Sequence, residues 1–427
     1  MAPLTSASLR VAGELRVPGD KSISHRALIF GALAPGLSRV RGILPSADVH
    51  STAGVLRALG VDIPPLAPAI EFTGVGPNGL RTPDKDLDCG NSGTSARLLA
   101  GVVAGSGLTA RFTGDSSLSR RPMRRVQRPL EAMGATVEPS ANGGLPMTVG
   151  GARLDGIEWE NENSSAQVKS CILLAAFCSG VESTVREPTR SRDHSERMFA
   201  AHGVEVWVND DAVMILGGQS LTPIDYDVPG DPSSAAFFAA LAALAPQGEL
   251  MLRDVCVNET RTGFLAALAE MGATIELQAK AIRSGEWIAD VRVAAGTALR
   301  GVTIEAAAIP TLIDELPLLA CIATYADGET RVTGAAELRV KESDRISAVV
   351  HNLKALGATA DELPDGFVVT GTRPRLRGSV VTHGDHRLAM AFGILGAIPG
   401  NEIAIDDRDC VAVSYPNFWH DLSAATP

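Results

Sequence analysis

Small polar and charged residues recur at the openings of apolar segments along this chain. Lys21, Ser22 and Arg26 open KSISHRALIFGAL. Asn91, Ser92, Gly93, Thr94 and Arg97 open NSGTSARLLAGVV, and Ser164, Ser165 and Gln167 open SSAQVKSCILLAA. Asp314 and Glu315 open DELPLLACIA, and Asp385, His386 and Arg387 open DHRLAMAFGILGA. An apolar run behind such residues predicts a helix start. Its first N–H groups are unpaired and it carries roughly +0.5 charge. With Lys and Arg beside them, such ends bind phosphate or carboxylate groups. Carboxylates amid that positive charge are suited to general acid–base work. Further cations lie in SRRPMRR (Arg120, Arg121, Arg124, Arg125), in TRSRDHSER (Arg190, Arg192, Arg197) and in VKESDR (Lys341, Arg345, beside Glu342 and Asp344). Taken singly each has a plainer reading. Asp193 with Glu196 makes a capping box, Ser46 or Asp48 an ordinary cap, and a lone Arg a solvated face.

The elements that must position these residues repeat. Apolar helices open near residues 21, 91, 165, 231, 314 and 385, roughly 70 residues apart. Between them runs a second series, LRALGVDI, LEAMGATVE, FAAHGVEVWV, LAEMGATIEL and LKALGATADE. Each predicts a helix end, a glycine just beyond it (Gly60, Gly134, Gly203, Gly272, Gly357), then a strand. The sixth unit lacks this ending and closes with SYPNFWHDL. The units read as strand–helix–strand–helix–strand–strand. A solenoid would have shorter repeats with functional residues recurring in each unit; here the openings differ, which points to units around a shared site. VPGD occurs twice, at Val17–Asp20 and Val228–Asp231. Each copy marks an expected crossing between lobes, and two crossings make a hinge.

Bulk properties exclude several classes. The net charge of −11 over 427 residues argues against a polynucleotide partner but not against a small anionic substrate. GDKS is not a phosphate loop of the Walker type, because Asp20 separates Gly19 from Lys21. The pairs His383/His386 and His194/His202 lack metalloprotease spacing, and the six cysteines form no C-x-x-C pair. Several of them, as in SCILLAAFCSG, read as buried reduced thiols. No apolar run reaches the length of a membrane span, and the opening residues read as neither a secretory leader nor a transit peptide, so the expectation is a cytoplasmic protein without metal.

The ordered motifs GDKSISHRALI, LDCGNSGTSARLL, RRPM, SSAQVKS, TRSRDHSERM, DELP, KESDRI and GDHRLAMAF resemble the 3-phosphoshikimate 1-carboxyvinyltransferase (EPSP synthase) family across essentially the whole chain. The resemblance implies an α/β, two-domain enolpyruvyl transferase fold. Each domain would hold three βαβαββ units, joined by a double-crossing hinge. Residues 20–228 would form the N-terminal lobe on the shikimate 3-phosphate side. Residues 1–19 plus 229–427 would form the C-terminal lobe on the phosphoenolpyruvate and acid–base side. Closure would bring Lys21, Arg121 and Gln167 against Asp314, Glu342, Arg345 and Arg387. The implied reaction moves the enolpyruvyl group of phosphoenolpyruvate to the 5-hydroxyl of shikimate 3-phosphate through a tetrahedral intermediate. It releases phosphate and needs no cofactor.

Residue by residue, the resemblance implies Lys21, Ser22, Arg26, Ser165, Ala166, Gln167, Arg192, Asp314 and Lys341 as shikimate 3-phosphate ligands. It implies Lys21, Gly93, Arg121, Gln167, Arg345 and Arg387 as phosphoenolpyruvate ligands. Asp314 and Glu342 are the candidate proton carriers, with Lys21 assisting. A monomer and sensitivity to glyphosate, which mimics phosphoenolpyruvate in this family, are implied as well. Two positions depart from the pattern: Val413 stands where some members carry Lys, and Leu98 where many carry Pro. Two rival readings are a UDP-N-acetylglucosamine enolpyruvyl transferase and a family member that binds phosphates without turnover. The first usually opens with Lys-Asn and has a reactive Cys in its Arg-rich loop, whereas this chain has Lys21-Ser22 and no Cys in RRPMRR. The second has no need of carboxylates beside anionic ligands.

Overall fold

The structure, a computed structural model, describes residues 9–151 and 153–427. Residues 1–8, which the sequence reading placed in the C-terminal lobe and judged free of a leader, lie outside the described residues. The chain divides into two compact units. One comprises Gly19–Val228 with Ile282–Glu286. The other comprises the described residues up to Pro18, Pro229–Ala281 and Trp287–Pro427.

The first unit holds helices α1 (Lys21–Leu33), α2 (Ala47–Ala58), α3 (Gly93–Gly105), α4 (Arg124–Ala132), α5 (Ala166–Ser179) and α6 (His194–Ala201). The second holds α7 (Pro232–Leu244), α8 (Gly263–Glu270), α9 (Ile309–Leu312), α10 (Leu316–Ala323), α11 (Arg345–Ala355), α12 (His386–Gly396) and α13 (Phe418–Ala425). The helices fall into two kinds. In α1, α3, α5, α7, α10 and α12 nearly every side chain past the first turn is buried. Helices that are apolar all round belong inside a unit. In α2, α4, α6, α8 and α11 only part of each helix is buried.

The sheets repeat one pattern. In the first unit Leu87–Asp88 pairs in parallel with Thr109–Thr113, which pairs antiparallel with Met147–Gly150 and so to Thr136–Pro139. Glu158–Glu160, Ser183–Arg186, Ala212–Ile215 and Val206–Val208 follow in the same order, as do Thr303–Ile304, Gly328–Val332, Gly366–Gly371 and Thr359–Leu363 in the second unit. In each case a buried helix crosses between the parallel strands, as a parallel connection requires. The sixth repeat keeps only the parallel pair Arg377–Val380 and Glu402–Ile405. The first also falls short of the expected pattern. Gly60 is followed by irregular chain, and a single strand, Ala69–Gly74, completes that sheet. Pro64, Pro65 and Pro68 occupy the missing strand, and proline has no N–H to give a ladder.

The two VPGD copies lie where strands are exchanged. Arg10–Val11 and Glu14–Leu15 precede α1 but pair with Gln247–Cys256, the strand after α7. Asp225–Asp227 precedes α7 but pairs with Gly36–Arg41, the strand after α1. In both copies the Asp caps the helix: Ile23 N donates to Asp20 Oδ1 and Ser233 N to Asp231 Oδ1, each at 2.8 Å. A methyl at Gly19 would strike the carbonyl of Gly42, so only glycine fits there.

Candidate active site

The chemistry-bearing residues gather in two clusters, one in each unit. In the first unit, α3 and α5 run parallel and close together. Methyls at Gly101 and Gly105 would strike the Cys171 and Ala175 carbonyls, so these glycines set the approach. Parallel packing at that distance brings the two helix starts side by side. Gln167 Nε2 donates to Thr94 Oγ1 at 3.0 Å, and Arg97 Nη1 donates to Gln167 Oε1 at 2.6 Å. Arg121 Nη2 donates to Asn91 Oδ1 at 2.6 Å. Of the arginines in SRRPMRR, Arg121 is buried and turned to this cluster, whereas Arg120 and Arg124 are exposed.

Helix α1 joins them. Its cap residue Asp20 is buried, and Lys21 Nζ donates to Asp48 Oδ2 at 3.1 Å. Arg26 is buried, with Nε on Ser195 Oγ at 2.8 Å, Nη2 on Ser170 Oγ at 2.7 Å and Nη1 on the Ser22 carbonyl at 3.1 Å. Burial, opposed by the charges of Glu196 and Asp20 and aided by that of Arg192, lowers the Arg26 guanidinium to about 10. His25 shares a hydrogen bond with Thr52 at 2.7 Å, Thr52 with Ser95 at 2.6 Å, and Ser95 donates to Ser92 at 2.8 Å. This buried chain links α1, α2 and the start of α3. Burial, with Lys21 and Arg26, holds the imidazole well below its ordinary value, so His25 is neutral. Ser164, just before Ser165, Ala166 and Gln167, sits at φ 46°. A serine in that region is strained, and such strain collects at functional loops.

In the second unit Arg345 is the centre. It is fully buried and reaches three carboxylates: Asp385 Oδ2 from Nε at 2.8 Å, Glu342 Oε2 from Nη2 at 2.6 Å, and Asp314 Oδ1 from Nη1 at 3.2 Å. Lys341 Nζ lies 3.6 Å from Asp314 Oδ1, and Arg387 Nη1 donates to the Asp314 carbonyl at 3.2 Å. Burial alone would lower Arg345, but the charges of Asp385, Glu342 and Asp314 outweigh it and raise it. Burial would likewise raise Asp385; Arg345 reverses this and holds the carboxyl below its usual value. Asp314 and Glu342 thus share one cation while keeping partial exposure, with 13% and 22% of their side chains open. Two adjacent carboxylates on one guanidinium can accept and return protons.

The structure brings Lys21, Ser22, Arg26, Gly93, Arg121, Ser165, Ala166, Gln167 and Arg192 into the first cluster, and Asp314, Lys341, Glu342, Arg345 and Arg387 into the second. Several expectations are corrected. Asp193 and Glu196 form no capping box: Asp193 accepts from Arg190 and Arg197, each at 2.9 Å, and Glu196 pairs with Lys169 at 2.8 Å. Ser46 makes no side-chain cap bond, and Asp48 serves Lys21. The start of α7 is closed by buried Arg261, which donates to Asp231 and Ser233 at 3.1 Å, so not every helix of the series is open. Leu98 is wholly buried in α3. Val413 ends the turn Asp409–Val413 half-buried.

Sequence reasoning places Asn91, Arg97 and Asp385 at polar helix openings without assigning them a substrate, and reads Asp48 only as a cap. Asn91 and Arg97 stood inside a quoted motif, but Asp48 carried no signal beyond its cap-like position.

The chain is similar to known proteins over nearly its whole length. The family model for EPSP synthase (3-phosphoshikimate 1-carboxyvinyltransferase) matches residues 6–422. The chain is 47% identical to a 3-phosphoshikimate 1-carboxyvinyltransferase from a Sulfurihydrogenibium species, over 97% of each protein. It superposes on the EPSP synthase structure from Acinetobacter baumannii with a TM-score of 0.87 at 39% identity, covering 98% of this chain and 96% of the other. The enolpyruvyl transferase NikO from Streptomyces tendae, at 18% identity and a TM-score of 0.78, shares the fold over 97% of this chain and 95% of its own.

Proposed function

The chain belongs to the EPSP synthase family, and from that premise we propose that it transfers the enolpyruvyl group of phosphoenolpyruvate to the 5-hydroxyl of shikimate 3-phosphate. The observation that carries the assignment of roles is the pair Asp314 and Glu342 held on buried Arg345.

Shikimate 3-phosphate is taken by Lys21, Ser22, Arg26, Ser165, Ala166, Gln167 and Arg192, with Asp314 and Lys341. Phosphoenolpyruvate is taken by Lys21, Gly93, Arg121, Gln167, Arg345 and Arg387. Each substrate carries a carboxylate and a phosphate, so the repulsion between them is offset by Lys and Arg and by the helix ends. In the addition step the 5-oxygen bonds to C2 of phosphoenolpyruvate. Asp314 accepts the hydroxyl proton and Glu342 gives a proton to C3. In the elimination step C3 returns a proton to Glu342, the bond from C2 to the phosphate oxygen breaks, and phosphate leaves with the proton held on Asp314, Lys21 offsetting its charge. One turnover requires both sets of residues. Among the described residues no helix is long and apolar enough to cross a membrane; the cytoplasmic location and the action as a monomer rest on the family resemblance.

Phosphate release tests the proposal. It is expected with phosphoenolpyruvate and shikimate 3-phosphate together, and with neither alone. Release that instead follows addition of UDP-N-acetylglucosamine would overturn the acceptor assignment.

A further inference from the structure

Behind the start of α5 lies a buried charge cluster that no step above uses. Lys169 is fully buried, with Nζ 2.8 Å from both Glu187 Oε2 and Glu196 Oε1 and 3.4 Å from the Ser191 carbonyl. Burial would lower the ammonium, but Glu196 and Glu187 outweigh it and keep Lys169 charged. Glu187 is the knot of the cluster. Its Oε1 accepts from Asn161 Nδ2 at 2.7 Å and from Ser191 Oγ at 2.7 Å, and its Oε2 accepts from Ser191 N at 3.1 Å. The same Asn161 amide donates to the Ser165 carbonyl at 3.0 Å, and Thr189 N donates to Ser164 Oγ at 3.1 Å. One carboxylate therefore ties the turn that begins α5 to the loop that carries Arg192. Glu196, on the far side of Lys169, also acts on Arg26 through its charge.

We propose that Glu187 and Lys169 are positioning residues for shikimate 3-phosphate: together they set the distance between the Ser165–Gln167 turn and Arg192. This rests on the substrate assignment above. A buried ion group is a poor source of net stability compared with packed apolar residues. Its hydrogen bonds are directional, however, and those of Glu187 and its partner Asn161 end on the turn before α5 and the loop that carries Arg192, where Ser165 and Arg192 are assigned to shikimate 3-phosphate. Of the phosphoenolpyruvate ligands, Gln167 follows this turn but is held by Arg97 and Thr94 of α3, and Gly93 and Arg121 lie on other segments.

The test compares Glu187→Gln, Lys169→Met and the double variant Glu187→Gln/Lys169→Met in the full chain, with each substrate varied in turn. The double variant removes one charge of each sign and so keeps the charge balance of the cluster; it carries the test if a single variant fails to fold. The expected result is a rise of about tenfold or more in KM for shikimate 3-phosphate, the size of losing a hydrogen bond to a charged group. KM for phosphoenolpyruvate should stay within about twofold. Hydrogen exchange of the amides near residues 188–193 should speed up in step. Loss of thermal stability with both KM values unchanged, or an equal rise in both, would overturn the positioning role. Wild-type protein that ignores shikimate 3-phosphate would instead overturn the substrate assignment, so the two failures are distinguishable.

Discussion

Replacing Gly93 by Ala tests the phosphoenolpyruvate assignment through geometry alone. Gly93 is the first residue of α3 and lies outside the left-handed region, so Ala is compatible with the backbone and is the better helix former by about 1 kcal/mol. The added methyl would stand 2.8 Å from Arg97 Nη1 and 3.6 Å from Arg121 Nη1. Ordinary contact begins at 3.4 Å, so the Arg97 nitrogen must retreat by about 0.6 Å. That nitrogen donates to Gln167 Oε1 at 2.6 Å. A retreat along that line tightens an already short bond, and a retreat away from it stretches the bond past 3 Å. Either way the Arg97–Gln167–Thr94 set moves, and the methyl occupies space against Arg121. Losing one charge-assisted contact is worth about 1.5–3 kcal/mol, or about tenfold to a hundredfold in KM. Steady-state kinetics should therefore show KM for phosphoenolpyruvate rising by about that factor, with KM for shikimate 3-phosphate moving less. Glyphosate, as a phosphoenolpyruvate mimic, should inhibit the wild type competitively and the variant more weakly. An unchanged KM for phosphoenolpyruvate in a folded variant would refute the reasoning, because the methyl cannot avoid Arg97.

Three further perturbations follow from the same contacts. Arg345→Lys leaves one nitrogen to serve Asp385, Glu342 and Asp314; kcat/KM should fall by about a hundredfold or more, with a loss of about 3 kcal/mol in urea unfolding. His25 is held below its ordinary basicity by burial, and His202 likewise. The unfolded chain therefore binds their protons first. Stability is full above about pH 6.5 and falls as the pH drops below it, by at most about 1.4 kcal/mol per unit for each histidine, and less for the less deeply buried His202, until the folded imidazole is protonated too. His25→Gln should remove one such slope when urea midpoints are compared at several pH values, and an unchanged slope would count against a neutral buried His25. Burial pushes the thiols of Cys171, Cys178 and Cys410 up to about 12, so alkylation near neutral pH should be slow and leave activity intact. Rapid inactivation by iodoacetamide would contradict that.

The parts of the fold legible in the sequence were those with a local cause. The helix starts expected near residues 21, 91, 165, 231, 314 and 385 correspond to helices beginning at Lys21, Gly93, Ala166, Pro232, Leu316 and His386, because apolar runs behind small polar residues specify them locally. The strand expected after Gly60 failed to form for a local reason too, the prolines of IPPLAP. What stayed hidden depended on distant partners. Glu196 looks like a capping residue until Lys169, far back along the chain on α5, is seen to claim it. Asp48 looks like a helix cap until Lys21 is found beside it. SRRPMRR gives no sign that Arg121 turns inward while its neighbours face solvent; that depends on Asn91. The residues quoted from the motifs fall in the two clusters, and the hydrogen-bond partners inside them needed the three-dimensional structure.

The central claim is that this chain makes a carbon–oxygen bond between its two substrates. Phosphoenolpyruvate labelled with carbon-13 at C2, incubated with shikimate 3-phosphate and the protein, tests it most directly by NMR. The label is expected to move into an enol ether attached to the 5-oxygen, with phosphate appearing in equal amount. Label recovered only as pyruvate would mean hydrolysis without transfer, and label left in phosphoenolpyruvate would mean binding without turnover; either result would contradict it.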